Sequence, residues 1–346
     1  MVTHICIKFT ASISPFTLEG VQRIQTQSKM RPSFLSILTI LFVCFGSIIL
    51  TWYSLVRSVN PHCPEQHTSI VVGKNKAQLS EKFSNELELD IRDSGKFHVV
   101  TNFILFTHRA YSANLRYDEN LVPTDNQLID RQKEVEKTLQ INLNNELIAA
   151  VHVLFYHPAI LVHLMELNLK NSQKLVLHLT RRDPTVGINL DYINNYLFGK
   201  YVILLHQDNF LGEGWNTIDF DEIRSQRVMY ALTRHAISNQ MGCNAALSAN
   251  CNPGAMYIGS HDTFAFFMDK KFPMEMLKDL DILPSALGME NVLIYYFRNN
   301  LSYKVLNPCL VLKVYHSHCV PVRQKDRKRY NLKGKNGLAP FTNRLV

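Results

Sequence analysis

The part of this sequence best suited to chemistry is a buried strand that ends in polar side chains. Tyr201–Leu205 is an apolar run, which predicts a strand covered on both faces of a sheet. Residues 206–209, His-Gln-Asp-Asn, follow it directly. Ligands of open α/β sheets bind just beyond the carboxyl ends of the strands, so Asp208 is placed to hold a metal ion or a sugar hydroxyl. The alternative is that Asp208 only caps the loop at the strand end.

A second acid stands at the start of a predicted helix. Glu290 and Asn291 follow Gly288 and precede a long apolar stretch. A carboxylate in this place can act as a general base if it lies within hydrogen-bonding reach of a hydroxyl. It can equally stabilise the helix as an ordinary first-turn acid. Asn291 is a candidate for binding a sugar hydroxyl or for capping the helix.

Other polar residues fall near the ends of predicted strands. His316 and His318 alternate on one predicted strand and therefore point to the same face. Arg234 ends a strand and Asp262 opens the next. Arg234 and Asp262 are both candidate ligand contacts, and the alternative for each is a salt bridge or a surface charge. The alternative for His316 and His318 is a structural role. Asn102 and Asp183 are weaker candidates, by position only.

The elements that must carry these residues alternate along the chain. Strands separated by helix-length segments predict βαβ units and a mostly parallel α/β sheet flanked by helices. We predict strands at 97–104, 147–155, 175–179, 201–205, 228–234, 259–267, 303–306 and 310–318, and helices at 130–143, 158–169, from about 185 to 199, and 289–298.

The charge of the chain is concentrated at its ends. The formal net charge is +8, but residues 58–322 hold 24 basic and 27 acidic side chains. Residues 1–57 hold five basic residues against one acid, and residues 323–346 hold eight against one. A near-neutral body with basic ends is a poor footprint for nucleic acid, so no nucleic-acid partner is predicted.

An uncharged run of 23 residues, Phe34–Val56, predicts a transmembrane helix in contact with the lipid bilayer. A cleaved signal peptide is the alternative, although its apolar core is usually shorter. More Lys and Arg precede the run than follow it, which predicts a cytosolic N-terminus and a type II, single-pass protein. The predicted layout is a cytoplasmic tail at 1–33, a signal-anchor at 34–56, a stem at 57–95, a lumenal domain at 96–320 and a disordered basic tail at 321–346.

Five of the seven cysteines fall on the predicted lumenal side, where disulfides form. Cys243–Cys251 and Cys309–Cys319 are the pairs suggested by their spacing, and sequence alone does not fix the connectivity. Asn300-Leu301-Ser302 is an N-glycosylation sequon.

Seven short motifs in a fixed order resemble a family of glycosyltransferase-like domains of the GT-A, nucleotide-diphospho-sugar transferase type. The resemblance covers roughly residues 97–318. The anchor, stem and domain layout also resembles Golgi glycosyltransferases. The motifs are Val100–Phe103, Arg182–Thr185, Val202–Asn209, Ala231–Arg234, His261–Phe264, Leu287–Asn291, and Asn307–Cys309 with Tyr315–His318.

This resemblance implies a GT-A or Rossmann-like fold and a Golgi or ER enzyme that moves a sugar from a nucleotide-sugar donor to a glycan or other hydroxyl acceptor. It implies Mn²⁺ or Mg²⁺ as cofactor, because GT-A enzymes hold a divalent cation at an Asp-x-Asp motif after the fourth strand. The implied roles are metal binding by Asp208, His316 and His318; donor binding by Asn102, Asp183, Asp208, Asn209, Arg234 and Asn291; and catalysis by Glu290 and Asp262.

The chain departs from the family motif at one position. Gln207-Asp208-Asn209 supplies a single carboxylate where the motif has two. A catalytically inactive lumenal binding or scaffold domain with the same fold is therefore the alternative function.

Overall fold

The computed structural model describes residues 70–71, 95–107, 123–236, 251, 261–320, 322 and 329–346. These residues belong to one compact unit that begins at Thr68. The predicted cytoplasmic tail (1–33), anchor (34–56) and most of the stem (57–95) lie outside the described residues. Within the described part of the chain, no helix has both the length and the apolar character required to cross a bilayer.

The described chain alternates between strands and helices, as the sequence predicts. The strands are β1 (Ile70–Val71), β2 (Phe97–Asn102), β3 (Ile148–Phe155), β4 (Leu175–Leu179), β5 (Tyr201–Leu205), β6 (Asn209–Leu211), β7 (Val228–Thr233), β8 (His235–Ala236), β9 (His261–Phe267), β10 (Lys304–Leu306) and β11 (Val314–His316). The helices are α1 (Asp125–Asn144), α2 (Pro158–Glu166), α3 (Val186–Tyr196), α4 (Phe220–Ser225), α5 (Met274–Asp279) and α6 (Met289–Asn299).

Eight strands form one mixed sheet in the order β1-β4-β3-β2-β5-β9-β7-β10. Strands β4, β3, β2 and β5 are parallel neighbours, and β10 is parallel to β7. Strand β9 runs antiparallel to both β5 and β7, and β1 runs antiparallel to β4. The predicted mostly parallel α/β sheet flanked by helices is therefore confirmed, and the reversed β9 is a feature that the sequence pattern did not indicate.

Apolar side chains cover both faces of this sheet. In β5, Ile203 packs in a layer with α1 and α2, while Val202 and Leu204 pack in a layer with α3 and α6. Successive side chains of a strand point to opposite faces, so a continuous apolar run is what a strand covered on both faces requires. Burial of β5 on both sides fixes the position at which residues 206–209 emerge.

A second, three-stranded sheet in the order β6-β11-β8 lies against the end of β5. In this sheet His316 is paired with Asn209, and the backbone N–H of Ser317 donates to the carbonyl of Asp208 at 2.7 Å. Gly214 permits the close approach that holds this sheet: its φ is +89°, and a Cβ there would lie 1.8 Å from the carbonyl oxygen of Val311. The small sheet thus brings a segment 108 residues away in sequence against Asp208.

The disordered tail predicted at 321–346 is wrong for residues 329–346. Gly337 donates to the carbonyl of Asn291 at 2.8 Å, and Lys335 Nζ contacts Asp279 at 2.6 Å. Ala339 is fully buried. This segment is therefore ordered: Glu275 and Asp279 of α5 pair with Lys335, and Gly337 and Ala339 pack against α6.

Both disulfides suggested from spacing are also wrong. Cys251 is bonded to Cys309, with their Cα atoms 5.8 Å apart, and this excludes Cys243–Cys251 and Cys309–Cys319. Cys319 is disulfide-bonded as well. Pairing follows proximity in the fold, which sequence separation does not report.

A row of buried histidines crosses the α3 face of the sheet. His98 Nδ1 lies 3.0 Å from His152 Nε2, and His152 Nδ1 lies 2.9 Å from the hydroxyl of Tyr192. His178 packs against the Tyr192 ring, with centroids 4.8 Å apart. Burial, and to a smaller degree the neighbouring His98 and His178, hold the pKa of His152 well below its ordinary value of 6.5.

We expect this row to make the domain acid-sensitive. Unfolding restores the ordinary pKa of His152, so the unfolded chain binds the extra proton first and stability is lost as pH falls below 6.5. The loss approaches about 1.4 kcal/mol per pH unit in that range. Urea unfolding at several pH values measures it. His152→Asn should lower stability near neutral pH and flatten the pH dependence; an unchanged slope would contradict this account.

Candidate active site at the carboxyl end of β5

Three predicted metal-binding residues converge in the structure. Asp208 Oδ2 lies 3.1 Å from His316 Nε2 and 3.5 Å from His318 Nδ1. One donor atom from each residue lies within 4.8 Å of the other two. All three side chains are largely buried, with exposed fractions of 8–12 %. A carboxylate and two imidazoles at this spacing form a set of potential metal ligands.

The strand ends determine this convergence. Asp208 follows β5, and His316 closes β11 in the small sheet. His318 lies beyond the end of β11, although the sequence predicted a strand through 318, and its Nε2 faces the carbonyl of Val322 at 3.1 Å. That contact leaves His318 Nδ1 directed to Asp208. The end of β11 places His316, whereas His318 is placed by the loop that follows the strand.

Arg131, which the sequence analysis missed, is the closest charged partner of Asp208. Its guanidinium forms an ion pair with Asp208 Oδ2 and donates to the carbonyl of Ser317 at 2.6 Å. Glu134 accepts from the same guanidinium at 2.7 Å. Through its other oxygen Glu134 accepts from the backbone N–H groups of Cys319 and Val320, at 2.9 and 3.0 Å. Helix α1 thereby fixes the loop that carries His318.

The sequence contained a signal for Arg131. Arg131, Val135, Leu139 and Asn142 follow the spacing of one helical face, and all four are buried in α1. A charged residue on an otherwise buried stripe needs a partner of opposite charge, because burying an isolated charge is costly. That partner is Asp208.

The charges at this site keep Asp208 ionised. Burial alone would raise the pKa of its carboxyl, but the charges of His316 and Arg131, together with hydrogen bonds from both histidines, hold that pKa well below its ordinary value. Burial lowers the pKa of His318, opposed by its hydrogen bond to Asp208. The site therefore offers an anionic carboxylate near pH 7.

These residues fit a divalent cation in donor chemistry. Carboxylate and imidazole are both suitable ligands for first-row divalent metals. The Arg131 guanidinium, however, already bonds to the Asp208 oxygen that faces the two histidines. A cation bound by all three residues would have to share that oxygen with Arg131.

Asp262, Arg234 and Glu290 form a neighbouring polar group. Arg234 forms an ion pair with Asp262, and Asp262 is only 2 % exposed. The salt-bridge alternative for these two residues is therefore what the structure shows. Glu290 is 7 % exposed and lies near enough to Asp262 for the charge of that acid to raise its pKa.

Glu290 stands in the first turn of α6, after Gly288 in a left-handed conformation with φ +86°. A Cβ on Gly288 would lie 2.4 Å from the carbonyl oxygen of Tyr330, so the C-terminal segment packs tightly at this helix start. Burial is the largest influence on Glu290 and raises its pKa above the ordinary 4.5, against the lowering effect of backbone hydrogen bonds. A buried acid with a raised pKa is suited to accept a proton near neutral pH.

Backbone contacts connect the two groups. The carbonyl of Asp262 accepts from the backbone N–H of His206 and from the side-chain amide of Asn209, both at 3.4 Å. Among the described residues, no hydrogen bond joins Asp208 directly to Glu290. Asp262 thus connects the two groups: its carbonyl contacts the residues on either side of Asp208, and its side-chain charge acts on Glu290.

The remaining candidates lie at adjacent positions. The side-chain amide of Asn102 donates to the carbonyl of Pro184 at 3.2 Å, which brings the end of β2 beside the loop of Asp183. Gln207 accepts from the backbone N–H of Ile104 at 2.8 Å, so this rim is tied to the residue before Asp208. Asn291 is 9 % exposed in the first turn of α6.

No family model matches the sequence, and no curated protein matches it. Several solved structures are similar at low identity. One is a protein from Desulfovibrio desulfuricans assigned as a nucleotide-diphospho-sugar transferase, with TM-score 0.37, 10 % identity, and coverage of 61 % of this chain and 78 % of that one. A second is a mannosyltransferase from Pyrobaculum calidifontis in complex with GDP-Man and Mn²⁺, with TM-score 0.35, 13 % identity, and coverage of 66 % and 58 %.

A third similar structure is TarS from S. aureus, with TM-score 0.31 and 10 % identity over 57 % of this chain. The chain spans only 58 % of the mannosyltransferase and 53 % of TarS.

Proposed function

We propose that this protein is a glycosyltransferase that moves a sugar from a nucleotide-diphospho-sugar donor to a hydroxyl acceptor. The observation that carries the proposal is the convergence of Asp208, His316 and His318 within 4.8 Å at the carboxyl end of β5. This is the edge at which open α/β sheets bind ligands. A buried acid suited to proton transfer, Glu290, stands in the neighbouring group.

Asp208, His316 and His318 would hold the divalent cation. Two imidazoles beside one carboxylate favour Mn²⁺ over Mg²⁺, since Mg²⁺ prefers an all-oxygen shell. When bound, the cation neutralises the charge that develops on the leaving diphosphate. Around it, Asn209, Asn102, Asp183 and Asn291 are proposed to orient the donor through hydrogen bonds.

Glu290 is the proposed general base. It would take the proton from the acceptor hydroxyl as that oxygen attacks the sugar, which requires the ionised form. Asp262 raises the pKa of Glu290 through its charge and holds Arg234 in an ion pair. Arg234 is 19 % exposed, and we propose that it contacts the donor phosphates while it stays paired with Asp262.

The proposed location is the lumen of the Golgi or ER, with residues 34–56 as a type II anchor and 58–346 on the lumenal side. The Cys251–Cys309 disulfide supports an oxidising compartment, since disulfides are rare in the cytosol.

We expect Asn300 to carry an N-glycan in cells. Asn300 is exposed at the end of α6, and Ser302 completes the sequon. Treatment with a peptide N-glycosidase should therefore increase the electrophoretic mobility of the wild-type chain. Asn300→Gln should migrate at the treated position without treatment, whereas Asn299→Gln, at the adjacent exposed residue outside the sequon, should behave as wild type. Identical mobility of all samples would contradict the lumenal placement.

Release of nucleoside diphosphate tests the proposed reaction. The full chain is incubated with Mn²⁺, a panel of UDP- and GDP-sugars and mixed glycan acceptors, and free UDP or GDP is measured. We expect acceptor-stimulated release from one donor class, and its loss in His316→Gln. Absence of release from every donor would favour the scaffold alternative and overturn the proposal.

A further inference from the structure

The Asp208 carboxylate is already paired with a positively charged side chain, that of Arg131. The Arg131 guanidinium bonds to Asp208 Oδ2, the oxygen that also faces His316 Nε2 at 3.1 Å and His318 Nδ1 at 3.5 Å. A divalent ion ligated by this carboxylate and both histidines must approach the same oxygen. Arg131 therefore stands next to the position that the ion would take.

Arg131 is not free to leave this position. Its side chain is 2 % exposed and its guanidinium lies 5.7 Å from the centre of the Phe106 ring. It is also bonded to Glu134 at 2.7 Å and to the carbonyl of Ser317 at 2.6 Å. Withdrawal would leave a buried charge with fewer partners, which is costly. Because the site is shielded from water, repulsion between this guanidinium and an incoming divalent ion is only weakly screened.

We propose that Arg131 competes with the divalent cation for Asp208, so that the site binds metal weakly until a nucleoside diphosphate adds its negative charge. This inference deepens the proposed function and rests on it. The diphosphate would offset the excess positive charge of guanidinium and metal together. Metal and nucleotide would then each tighten the binding of the other by the same factor.

Direct Mn²⁺ titration of the full chain tests the competition without any reaction. Free Mn²⁺ is followed by electron paramagnetic resonance, in the absence of nucleotide. We expect Arg131→Gln to bind Mn²⁺ about tenfold more tightly than wild type or more, because the competing charge is gone. Arg131→Lys, which keeps the charge, should bind Mn²⁺ more weakly than Arg131→Gln. Equal or weaker binding by a folded Arg131→Gln variant would overturn the proposal.

Two further variants separate competition from disturbance of the fold. Glu134→Gln keeps the oxygen that accepts from Cys319 and Val320 but removes the charge shared with Arg131. It should weaken Mn²⁺ binding, and unchanged or tighter binding would contradict the proposal even if Arg131→Gln does not fold. Adding His316→Gln to Arg131→Gln should abolish the gain, since a ligand is lost.

UDP and GDP are added in a second titration. Wild type should bind Mn²⁺ about tenfold more tightly with one of them, and Arg131→Gln should gain less. Tight Mn²⁺ binding by wild type without nucleotide would overturn the proposal. A chain that transfers no sugar but shows the Arg131→Gln gain would refute the proposed reaction while leaving the competition intact.

Discussion

Asp208→Ala is expected to lower the free energy of unfolding by about 3 kcal/mol, near the lower limit for breaking a buried ion pair. The variant leaves the 2 %-exposed Arg131 without its main counter-charge. Glu134 still contacts that guanidinium at 2.7 Å, which keeps the expected loss from being larger. Urea unfolding near pH 7 measures the change. A loss below about 1 kcal/mol, the range of exposed pairs, would show that water reaches the pair and would contradict its burial.

A double variant serves as the matched control. Replacement of a whole buried pair by apolar residues is often close to neutral, so Asp208→Leu with Arg131→Met should recover much of the lost stability. It should not recover Mn²⁺ binding, because the carboxylate ligand is absent. Stability and metal binding would then be shown to depend on Asp208 separately.

Glu290→Gln is expected to reduce kcat about 10²–10⁴-fold, the usual contribution of a general base. The amide is nearly isosteric but does not accept the acceptor proton. KM for the donor should change little, because Glu290 is proposed to act on the acceptor. Glu166→Gln, at an exposed acid of α2, is the control and should retain wild-type kcat. Loss of activity by less than about fivefold in Glu290→Gln would remove it from the proposed role.

The pH dependence gives a second test of this residue. The pKa of Glu290 is raised by burial, so the ionised, active form is lost as pH falls through a value above the ordinary 4.5. Wild-type kcat/KM should therefore fall on the acid side with a midpoint above that of an exposed glutamate. The residual activity of Glu290→Gln should lack this limb. An acid limb that persists in the variant would assign the titration to another group.

The strands and the candidate residues on them follow directly from sequence periodicity. The apolar run at 201–205 predicts a strand covered on both faces, and the structure has it as β5. The strand predicted at 310–318 is shorter in the structure, Val314–His316, so it holds His316 but not His318. Asp208 lies three residues beyond the end of β5, which is the position that the sequence predicts for a ligand-binding acid. These are local patterns, and local patterns are what a sequence displays.

Contacts between elements that are distant in the sequence could not be predicted from it. The strand predicted at 259–267 gave no sign that β9 reverses direction, because periodicity carries no information on direction. Helix α1 begins at Asp125, not at the predicted 130, since its first turn is polar and is set by the capping box of Thr124 and Gln127. Arg131 therefore fell at the edge of the predicted helix and was overlooked. Cysteine pairing and the packing of residues 329–346 likewise depend on proximity in three dimensions.

The most direct test of the central claim is calorimetric titration of the full chain with UDP and GDP in the presence of Mn²⁺. The account predicts that one of these nucleotides binds wild type and that binding is lost both in Asp208→Asn and when a chelator removes the metal. If neither nucleotide binds, or if wild type and Asp208→Asn bind equally well, the result would contradict a donor site at the carboxyl end of β5.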